Sequence, residues 1–275
     1  VTYYDEDYTV LVWEDHRNST IDSLGDIIDE SDIYYQFLDI TGNSMLANNG
    51  NPICTDEAIQ IKPRVKASPL GAFITWEDLR NSNSDIFSQK VDYLGNIYWD
   101  ENGIPIVSEN GIQNQCRLTV DGDGGVFYVW LDERNAPYPE TDIYIQHIDS
   151  NNNFSFQEDG LALCDENYYQ FAPIVRASNG EALVLWGDRR TGSIGLYLQH
   201  VDPLSGITLE NQGREMFFGI DGNGQSPKSV HLDNESLLYW DDRRFSPFQN
   251  LTYGLKFNDI NSLINNQDGV ALSQN

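Results

Sequence analysis

Five copies of one short pattern carry the residues of this sequence that could do chemistry. Each copy places an aspartate two residues after a tryptophan, and an arginine two residues after that aspartate. The carboxylate can accept backbone N–H bonds, and the guanidinium can bind a carboxylate, pack on an aromatic ring or contact a ligand. The copies are Trp13-x-Asp15-x-Arg17, Trp76-x-Asp78-x-Arg80, Trp130-x-Asp132-x-Arg134, Trp186-x-Asp188-x-Arg190 and Trp240-x-Asp242-x-Arg244.

A polar residue present in every repeat usually holds the fold, so a structural role is the favoured interpretation of this motif. One candidate partner for the arginine is the aspartate that opens the next strand-like segment, as in Arg80 with Asp85. Repeats four and five lack that aspartate but keep the arginine. The arginine therefore needs another partner: the tryptophan face, its own aspartate or a neighbouring repeat. The alternative is a ring of five such pairs on one rim, each able to touch a ligand.

Other chemical signatures are weak or missing. The four histidines are scattered without metal-ligand spacing. Asp121-Gly-Asp123-Gly and Asp221-Gly-Asn223-Gly resemble the start of calcium loops but lack the completing glutamate, so hairpin turns explain them better. Phosphate-binding glycine loops, nucleophile elbows and Cys/His pairs are absent from the sequence. We therefore expect no cofactor, with calcium as the remaining alternative.

Four strand-like segments surround each copy of the motif. A short segment lies about 11 residues before the tryptophan, a second carries it, a third reads Asp-Ile-Tyr-x-Gln in the clearest copies, and a fourth follows a glycine. The second segment is apolar on both faces, which predicts a strand buried on both sides. Four β segments in each repeat and no helical periodicity predict an all-β, five-bladed β-propeller with four antiparallel strands per blade.

The repeats fill the chain as one domain, residues 1–275, with approximate boundaries at 1–55, 56–108, 109–165, 166–218 and 219–275. A shared glutamine precedes the first strand of repeats two to five, at Gln60, Gln113, Gln170 and Gln225. Ring closure should bring the N- and C-terminal segments side by side and cover a β edge. The fourth segment could belong to its own blade or complete the next one.

Charge and composition narrow the partners. The chain has 16 basic and 43 acidic residues and a net charge of −27, which would repel nucleic acid and anionic lipid. It has no apolar run long enough for a membrane span. The three cysteines argue against a disulfide framework and are expected to be buried thiols. The chain begins without methionine, which indicates a removed leader or a fragment, and we expect an extracellular or cell-surface bacterial protein.

The repeated motif resembles that of uncharacterised secreted bacterial proteins. The likeness rests on Trp-x-Asp-x-Arg, then Asp-Ile-Tyr-x-Gln, then Gly-x-Pro-Ile, and it spans essentially all 275 residues. It implies a propeller blade and no particular activity. The strand order also looks like that of sialidases, but their Ser-x-Asp-x-Gly-x-Thr-Trp box is absent. Five blades are similar to tachylectin-type lectins and to furanosidase-type glycoside hydrolases.

Near-equal repeats favour a non-enzymatic module for binding, adhesion or scaffolding, with glycans or other surface proteins as partners. An active site needs one asymmetric set of residues, whereas repeated lectin-like sites do not. Surface aromatic candidates for sugar binding are Tyr168, Tyr169, Trp99 and Phe245.

The alternative is a glycoside hydrolase with two carboxylates at the central funnel. Its single-copy residues would lie in the loops Asn18–Glu30 and Pro137–Glu140. A third possibility is a self-assembling subunit of a filament or surface layer.

Overall fold

The computed structural model describes residues 2–4, 8–21, 24, 27, 28, 31–135, 140–192, 194–218, 228–232, 235–242, 251–257, 270 and 271. Strands and turns make up this part of the chain, as the repeat predicts. Within it, no helix is long and apolar enough to cross a membrane.

Five antiparallel sheets follow one another along the chain. The first contains β1 (Thr2–Tyr4), β2 (Tyr8–Asp15), β5 (Asp32–Asp39) and β6 (Asn51–Cys54), with β3 (Thr20–Ile21) and β4 (Ile27–Ile28) as a separate ribbon. The second contains β7 (Gln60–Ser68), β8 (Gly71–Asp78), β9 (Asp85–Asp92) and β10 (Ile104–Val107). The third contains β11 (Gln113–Val120), β12 (Val126–Asp132), β13 (Asp142–Ile148) and β14 (Leu161–Cys164).

The last two sheets repeat this order. The fourth contains β15 (Gln170–Ser178), β16 (Glu181–Asp188), β17 (Gly195–Asp202), the short β18 (Gly206–Ile207) and β19 (Arg214–Phe218). The fifth contains β20 (Lys228–Leu232), β21 (Glu235–Asp242), β22 (Leu251–Phe257) and β23 (Val270–Ala271). One sheet per repeat gives the predicted five-bladed β-propeller.

Apolar cores lie between successive sheets, because the second strand of each is buried on both faces. One cluster joins the first and second sheets around Trp76, another joins the second and third around Trp130, and another joins the third and fourth around Trp186. Each of these indoles is 0–1% exposed. Truncating a buried tryptophan to alanine typically costs about 3–5 kcal/mol, so the motif tryptophan is a main source of sheet-to-sheet stability.

In the first four sheets, a glycine before the fourth strand makes room for the tryptophan. Gly103 has φ +82°, and a Cβ there would lie 2.4 Å from the Trp76 ring. Gly50, Gly160 and Gly213 stand in the same relation to the tryptophans of their own sheets. The glycine that marks the fourth segment in sequence is therefore required both by its left-handed backbone and by the ring packed on it.

The strand pairing resolves the alternative left open for the fourth segment. In each repeat, this segment pairs with the third strand of its own sheet, as β10 pairs with β9. Among the described strands, none from one end of the chain shares a sheet with a strand from the other, so side-by-side termini stay a prediction. The shared glutamines were expected to precede the first strand of each repeat. Instead, Gln60, Gln113 and Gln170 are the first residues of β7, β11 and β15, and their side chains are fully buried. Gln225 lies outside the described residues.

The first strands of successive sheets lie against one another. β7 contacts both β1 and β11, and β11 also contacts β15. These strands therefore surround the axis of the ring. Each of β7, β11 and β15 contains a bulge near its start, where Lys62, Gln115 and Ala172 adopt φ of 52–54°. Because Gln60 pairs with Asp78, the bulges lie at the same end of the ring as the motif aspartates.

Candidate functional site

The Trp-x-Asp-x-Arg residues form a closed hydrogen-bonded unit at this end of the first four sheets. In the second sheet, the indole Nε1 of Trp76 donates to the Asp78 carboxylate at 2.8 Å, and Arg80 donates to both carboxylate oxygens at 2.8 and 2.6 Å. The Arg80 backbone amide also donates to Asp78 at 3.0 Å. The same kind of unit forms in the first, third and fourth repeats, at Trp13, Asp15, Arg17, Trp130, Asp132, Arg134, Trp186, Asp188 and Arg190.

The motif arginine also packs on the third strand. The guanidinium carbon lies 3.9–4.2 Å from the ring centroid of Tyr34, Phe87, Tyr144 or Tyr197, which is cation–π geometry.

The same guanidinium also donates a hydrogen bond to the backbone just before the fourth strand. In the second sheet, Arg80 donates to the backbone oxygen of Asn102 at 3.1 Å. In the second and fourth sheets the arginine also contacts the buried thiols of Cys54 and Cys164. Asp85, the candidate partner from the sequence, accepts instead from Asn81 and Ser108. The carboxylate that pairs with each described motif arginine is therefore the aspartate of its own motif.

These contacts occupy the polar atoms of the motif within the protein. The Asp78, Asp132 and Asp188 side chains are 0% exposed. A ligand approaching this rim therefore meets the loops around the motif before it meets the carboxylates. In the fifth repeat, Arg244 and the side chains of Trp240 and Asp242 lie outside the described residues.

The asymmetry that an active site needs comes from the residue directly after the tryptophan. Glu14 accepts the backbone amide of Lys62 at 2.6 Å, and Glu77 accepts that of Gln115 at 3.0 Å. Each glutamate therefore caps the bulge of the next inner strand. The third repeat has Leu131 at this position, which offers no carboxylate to the bulge at Ala172.

A pocket of about 420 Å³ lies beside Leu131, between the third and fourth sheets. It sits at the motif end of the ring, on the side of the inner strands. Its lining mixes amide, carboxylate, guanidinium and phenol groups, from Asn114, Gln115, Leu131, Glu133, Thr141, Tyr169 and Arg189.

Glu133 is the carboxylate of this lining. It lies three residues after Trp130, directly beyond β12, and its amide donates to the Ile112 carbonyl at 3.0 Å. Burial, and then the charge of Asp132, raise the pKa of Glu133 above its ordinary value. A carboxyl group with a raised pKa holds its proton to higher pH, which suits a proton donor.

An aromatic platform forms one side of the pocket. Tyr169 stacks on Phe171 with ring centroids 5.3 Å apart and planes 12° apart. Gly187 makes this stack possible, since a Cβ there would lie 2.4 Å from the Phe171 ring. Stacked rings beside amide and guanidinium donors are the surface that sugars require: apolar faces for the ring and polar groups for the hydroxyls.

A second unusual carboxylate, Asp142, lies next to the lining residue Thr141. In the second sheet the equivalent Asp85 accepts two hydrogen bonds, but Asp142 Oδ2 is buried and has no partner among the described residues. Asp165 stands where the second sheet has Ser108. Burial, and then the charge of Asp165, raise the pKa of Asp142 to about 7.

The remaining sequence candidates do not converge on this pocket. Tyr168 is 57% exposed, and Trp99 donates to Asn152 Oδ1 at 3.0 Å while its ring packs on Phe73. Phe245 lies outside the described residues.

One of the two calcium-like sequences, Asp121-Gly-Asp123-Gly, lies within the described residues and forms a hairpin turn. Asp121 closes a hairpin turn by accepting the amides of Asp123 and Gly125. Asp221 lies outside the described residues. In the described part of the chain, no group of three or more His, Cys, Asp or Glu residues could hold a metal ion.

Sequence reasoning named Tyr169 as a candidate but missed Glu133, Arg189 and Leu131. The signal was present in the motif itself. The two residues that follow the tryptophan and the aspartate read Glu-His, Glu-Leu, Leu-Glu, Gly-Arg and Asp-Arg in the five copies, so the third and fourth copies have no carboxylate at the position that caps the bulge. The loop Pro137–Glu140, expected to hold single-copy residues, lies outside the described residues except for Glu140.

No family model matches the chain, and no curated relative matches it in sequence. Solved structures do match in fold. An α-L-arabinofuranosidase from Fusarium graminearum, solved as a mutant with an iminosugar inhibitor, gives a TM-score of 0.50 at 13% identity over 77% of this chain and 65% of its own.

Two further matches have lower TM-scores. An endo-arabinase from Bacteroides thetaiotaomicron gives 0.47 at 14% identity over 77% of this chain and 80% of its own. A thermostable family-43 glycoside hydrolase gives 0.46 at 11% identity over 94% of this chain and 88% of its own. At these identities, the likeness establishes the propeller fold alone.

The expectation of a non-enzymatic binding, adhesive or scaffolding module is wrong in the light of the α-L-arabinofuranosidase match. The solved structure that matches at a TM-score of 0.50 is an α-L-arabinofuranosidase, and it favours the alternative that the sequence left open. The physical reason lies in the repeat. Near-equal copies preserve the Trp-Asp-Arg scaffold, while the residues beside the scaffold, such as Leu131 and Glu133, create an asymmetric pocket.

Proposed function

We propose that the protein is a glycoside hydrolase that acts in the pocket between the third and fourth sheets. The observation that carries the proposal is the pairing of a carboxyl group of raised pKa, Glu133, with the stacked Tyr169–Phe171 platform in one asymmetric pocket. Glycan binding of this kind is consistent with the solved propeller that is described as an α-L-arabinofuranosidase.

In this proposal Glu133 is the proton donor. It protonates the glycosidic oxygen as the bond from that oxygen to the anomeric carbon breaks, and a water oxygen bonds to the same carbon. The second carboxylate is Glu77, whose Oε1 accepts the backbone amide of the lining residue Gln115 at 3.0 Å and whose Oε2 pairs with Lys62 at 2.8 Å. Glu77 takes up the proton that the water loses. This single displacement by water inverts the anomeric carbon and needs about 6.5–9.5 Å between the two carboxyl groups; a separation of about 5–5.5 Å would instead make Glu77 the nucleophile of a retaining reaction.

The neutral and cationic groups of the lining would select the sugar. Asn114 and Gln115 present amides, and Arg189 presents a guanidinium, all of which can bond hydroxyl groups. The platform would hold the apolar face of one sugar ring. α-L-Arabinofuranosides and arabino-oligosaccharides are the first substrates to test, because the solved structure with a TM-score of 0.50 is an α-L-arabinofuranosidase.

The test is release of reducing sugar from a panel of furanosides and pyranosides by the wild type, Glu133→Gln and Glu101→Gln. Glu101 is an exposed carboxylate outside the pocket and serves as the matched control. Loss of a general acid costs about 10²–10⁴-fold in rate. We expect that loss for E133Q and none for E101Q. Equal activity of E133Q and wild type would remove Glu133 from the chemistry.

A further inference from the structure

Among the described residues, Arg189 is the one cation in the lining of the pocket at Glu133. It directly follows β16 and is exposed, so a ligand in the pocket can reach it. Its backbone amide donates to the Tyr169 carbonyl at 3.1 Å, which fixes its main chain beside the residue that forms the platform. Glu133 has the equivalent position in the third sheet, where its amide donates to the Ile112 carbonyl. An acid on one sheet and a cation on the next therefore flank the same pocket.

The side chain of Arg189 has no partner among the described residues, in contrast to its neighbour Arg190. Arg190 bonds the Asp188 carboxylate and lies over the Tyr197 ring, as each described motif arginine does with its own aspartate and ring. In the described part of the chain, no carboxylate forms an ion pair with the Arg189 guanidinium, no hydrogen bond holds it and no aromatic ring lies beneath it. Glu133 lines the same pocket without pairing with it.

The position of Arg189 in the motif shows that it is not part of the repeated scaffold. The residue after the motif aspartate is His16, Leu79, Glu133 and Arg189 in the first four copies, and Arg243, outside the described residues, in the fifth. The bonded unit of tryptophan, aspartate and arginine forms in all of the first four copies, whichever residue stands there. A role in the fold therefore does not account for Arg189, and its guanidinium is available to a ligand.

The charge of the lining favours an anionic group of the ligand beside Arg189. Glu133 is neutral when it acts as a proton donor, so the lining then carries the single positive charge of Arg189. The net charge of the chain is −27, but exposed charges more than about 8 Å apart are largely screened at physiological ionic strength. Direct contact therefore decides, and a guanidinium binds a carboxylate through two parallel N–H donors that are about twice as strong as neutral hydrogen bonds.

We propose that the glycan taken by this pocket carries a uronic acid, whose carboxylate pairs with Arg189 while a neighbouring sugar ring lies on Tyr169. This inference rests on the proposed function and names its substrate class, an acidic oligosaccharide. A neutral arabino-oligosaccharide is then the weaker ligand, because a hydroxyl group is a poorer acceptor for a guanidinium than a carboxylate is.

The test is isothermal titration calorimetry of the full chain carrying Glu133→Gln, which binds without turnover. The probes are trigalacturonate, a xylobiose substituted with glucuronic acid, and the carboxyl-reduced form of each, in which CH₂OH replaces the carboxylate. Arg189→Gln and Arg189→Lys are added to this parent. Arg214→Gln is the matched control, because Arg214 pairs with Glu210 and does not line the pocket.

We expect at least one acidic probe to bind the parent about tenfold more tightly than its carboxyl-reduced form, and R189Q to remove that preference. R189K keeps the charge without the two parallel donors, so it should keep part of the preference, and R214Q should keep all of it. The unfolding temperature of R189Q should equal that of the parent, because no contact within the described residues is lost.

Equal affinity for acidic and reduced probes, a preference that survives in R189Q, or absence of binding by all four probes would overturn the inference. A lower unfolding temperature of R189Q would also overturn it, because Arg189 would then hold the fold. Failure of the proposed function gives a different result: acidic probes bind through Arg189, but the wild type releases no reducing sugar from any substrate. Hydrolysis of neutral arabinosides without an acidic preference would keep the proposed function and remove this inference.

Discussion

Asp142 gives the sharpest quantitative prediction, because its carboxyl group is buried without a hydrogen-bond partner for Oδ2 among the described residues. It is 3% exposed, and its pKa is raised from 3.8 to about 7 by burial and by Asp165. The folded protein therefore holds a proton that the unfolded chain releases. The stability contributed by that proton is complete below pH 3.8 and is lost as pH rises towards 7.

The magnitude follows from the two pKa values. Each pKa unit corresponds to about 1.4 kcal/mol, so the charged carboxylate costs up to about 4 kcal/mol at pH 8 and only about 0.5 kcal/mol at pH 4. An asparagine at this position would keep the shape and lose the charge. We therefore expect Asp142→Asn to raise the free energy of unfolding by up to about 4 kcal/mol at pH 8, with little change at pH 4.

Urea unfolding of the wild type and D142N between pH 4 and pH 8 measures this difference. Asp85→Asn is the matched control, since Asp85 has the equivalent position and two hydrogen-bond donors. D85N should gain less than D142N, because burial raises the pKa of Asp85 as well but Asn81 and Ser108 stabilise its charged carboxylate. A D142N effect that is the same at pH 4 and pH 8 would refute the assignment of the raised pKa to Asp142.

Three further predictions test the scaffold and the pocket. Asp78→Ala should lower the free energy of unfolding by about 3–5 kcal/mol, because half-buried Arg80 and buried Trp76 lose their acceptor. Asp15 is more exposed, so Asp15→Ala should lower it less. Equal losses in urea titrations of the two variants would contradict this. Gly187→Ala should lower the free energy of unfolding by about 1–3 kcal/mol and raise KM, because the added Cβ displaces Phe171 from Tyr169. An unchanged KM and Tm would argue against a role of the Tyr169–Phe171 stack in sugar binding. Leu131→Glu should place a carboxylate on the Ala172 bulge, as Glu14 and Glu77 do on theirs, and should abolish hydrolysis while the circular dichroism spectrum stays unchanged. Leu131→Met is the control. Full hydrolytic activity of L131E would show that the pocket is not the active site.

The sheets could be predicted because each repeat carries its own local signals. A tryptophan strand that is apolar on both faces fixes the core between sheets, and a glycine before the fourth strand fixes the space for the indole, as at Gly103. The second and third strands of each sheet were found for this reason. Pairing could not be assigned in the same way, so the fourth strand and the buried Gln60 had to be placed by the structure.

The site was harder to predict because it depends on contacts between repeats. Leu131 looks like another core residue until Glu14 and Glu77 are seen to cap the following inner strands. The extracellular bacterial location, partner proteins and self-assembly stay predictions.

The structure of Glu133→Gln with a bound arabino-oligosaccharide tests the central claim most directly. The account predicts a sugar ring stacked on Tyr169, with a glycosidic oxygen within hydrogen-bond distance of the side chain at position 133 and a hydroxyl group contacting Arg189. A sugar seated away from this pocket, or an empty pocket at a ligand concentration that saturates the wild type, would contradict it.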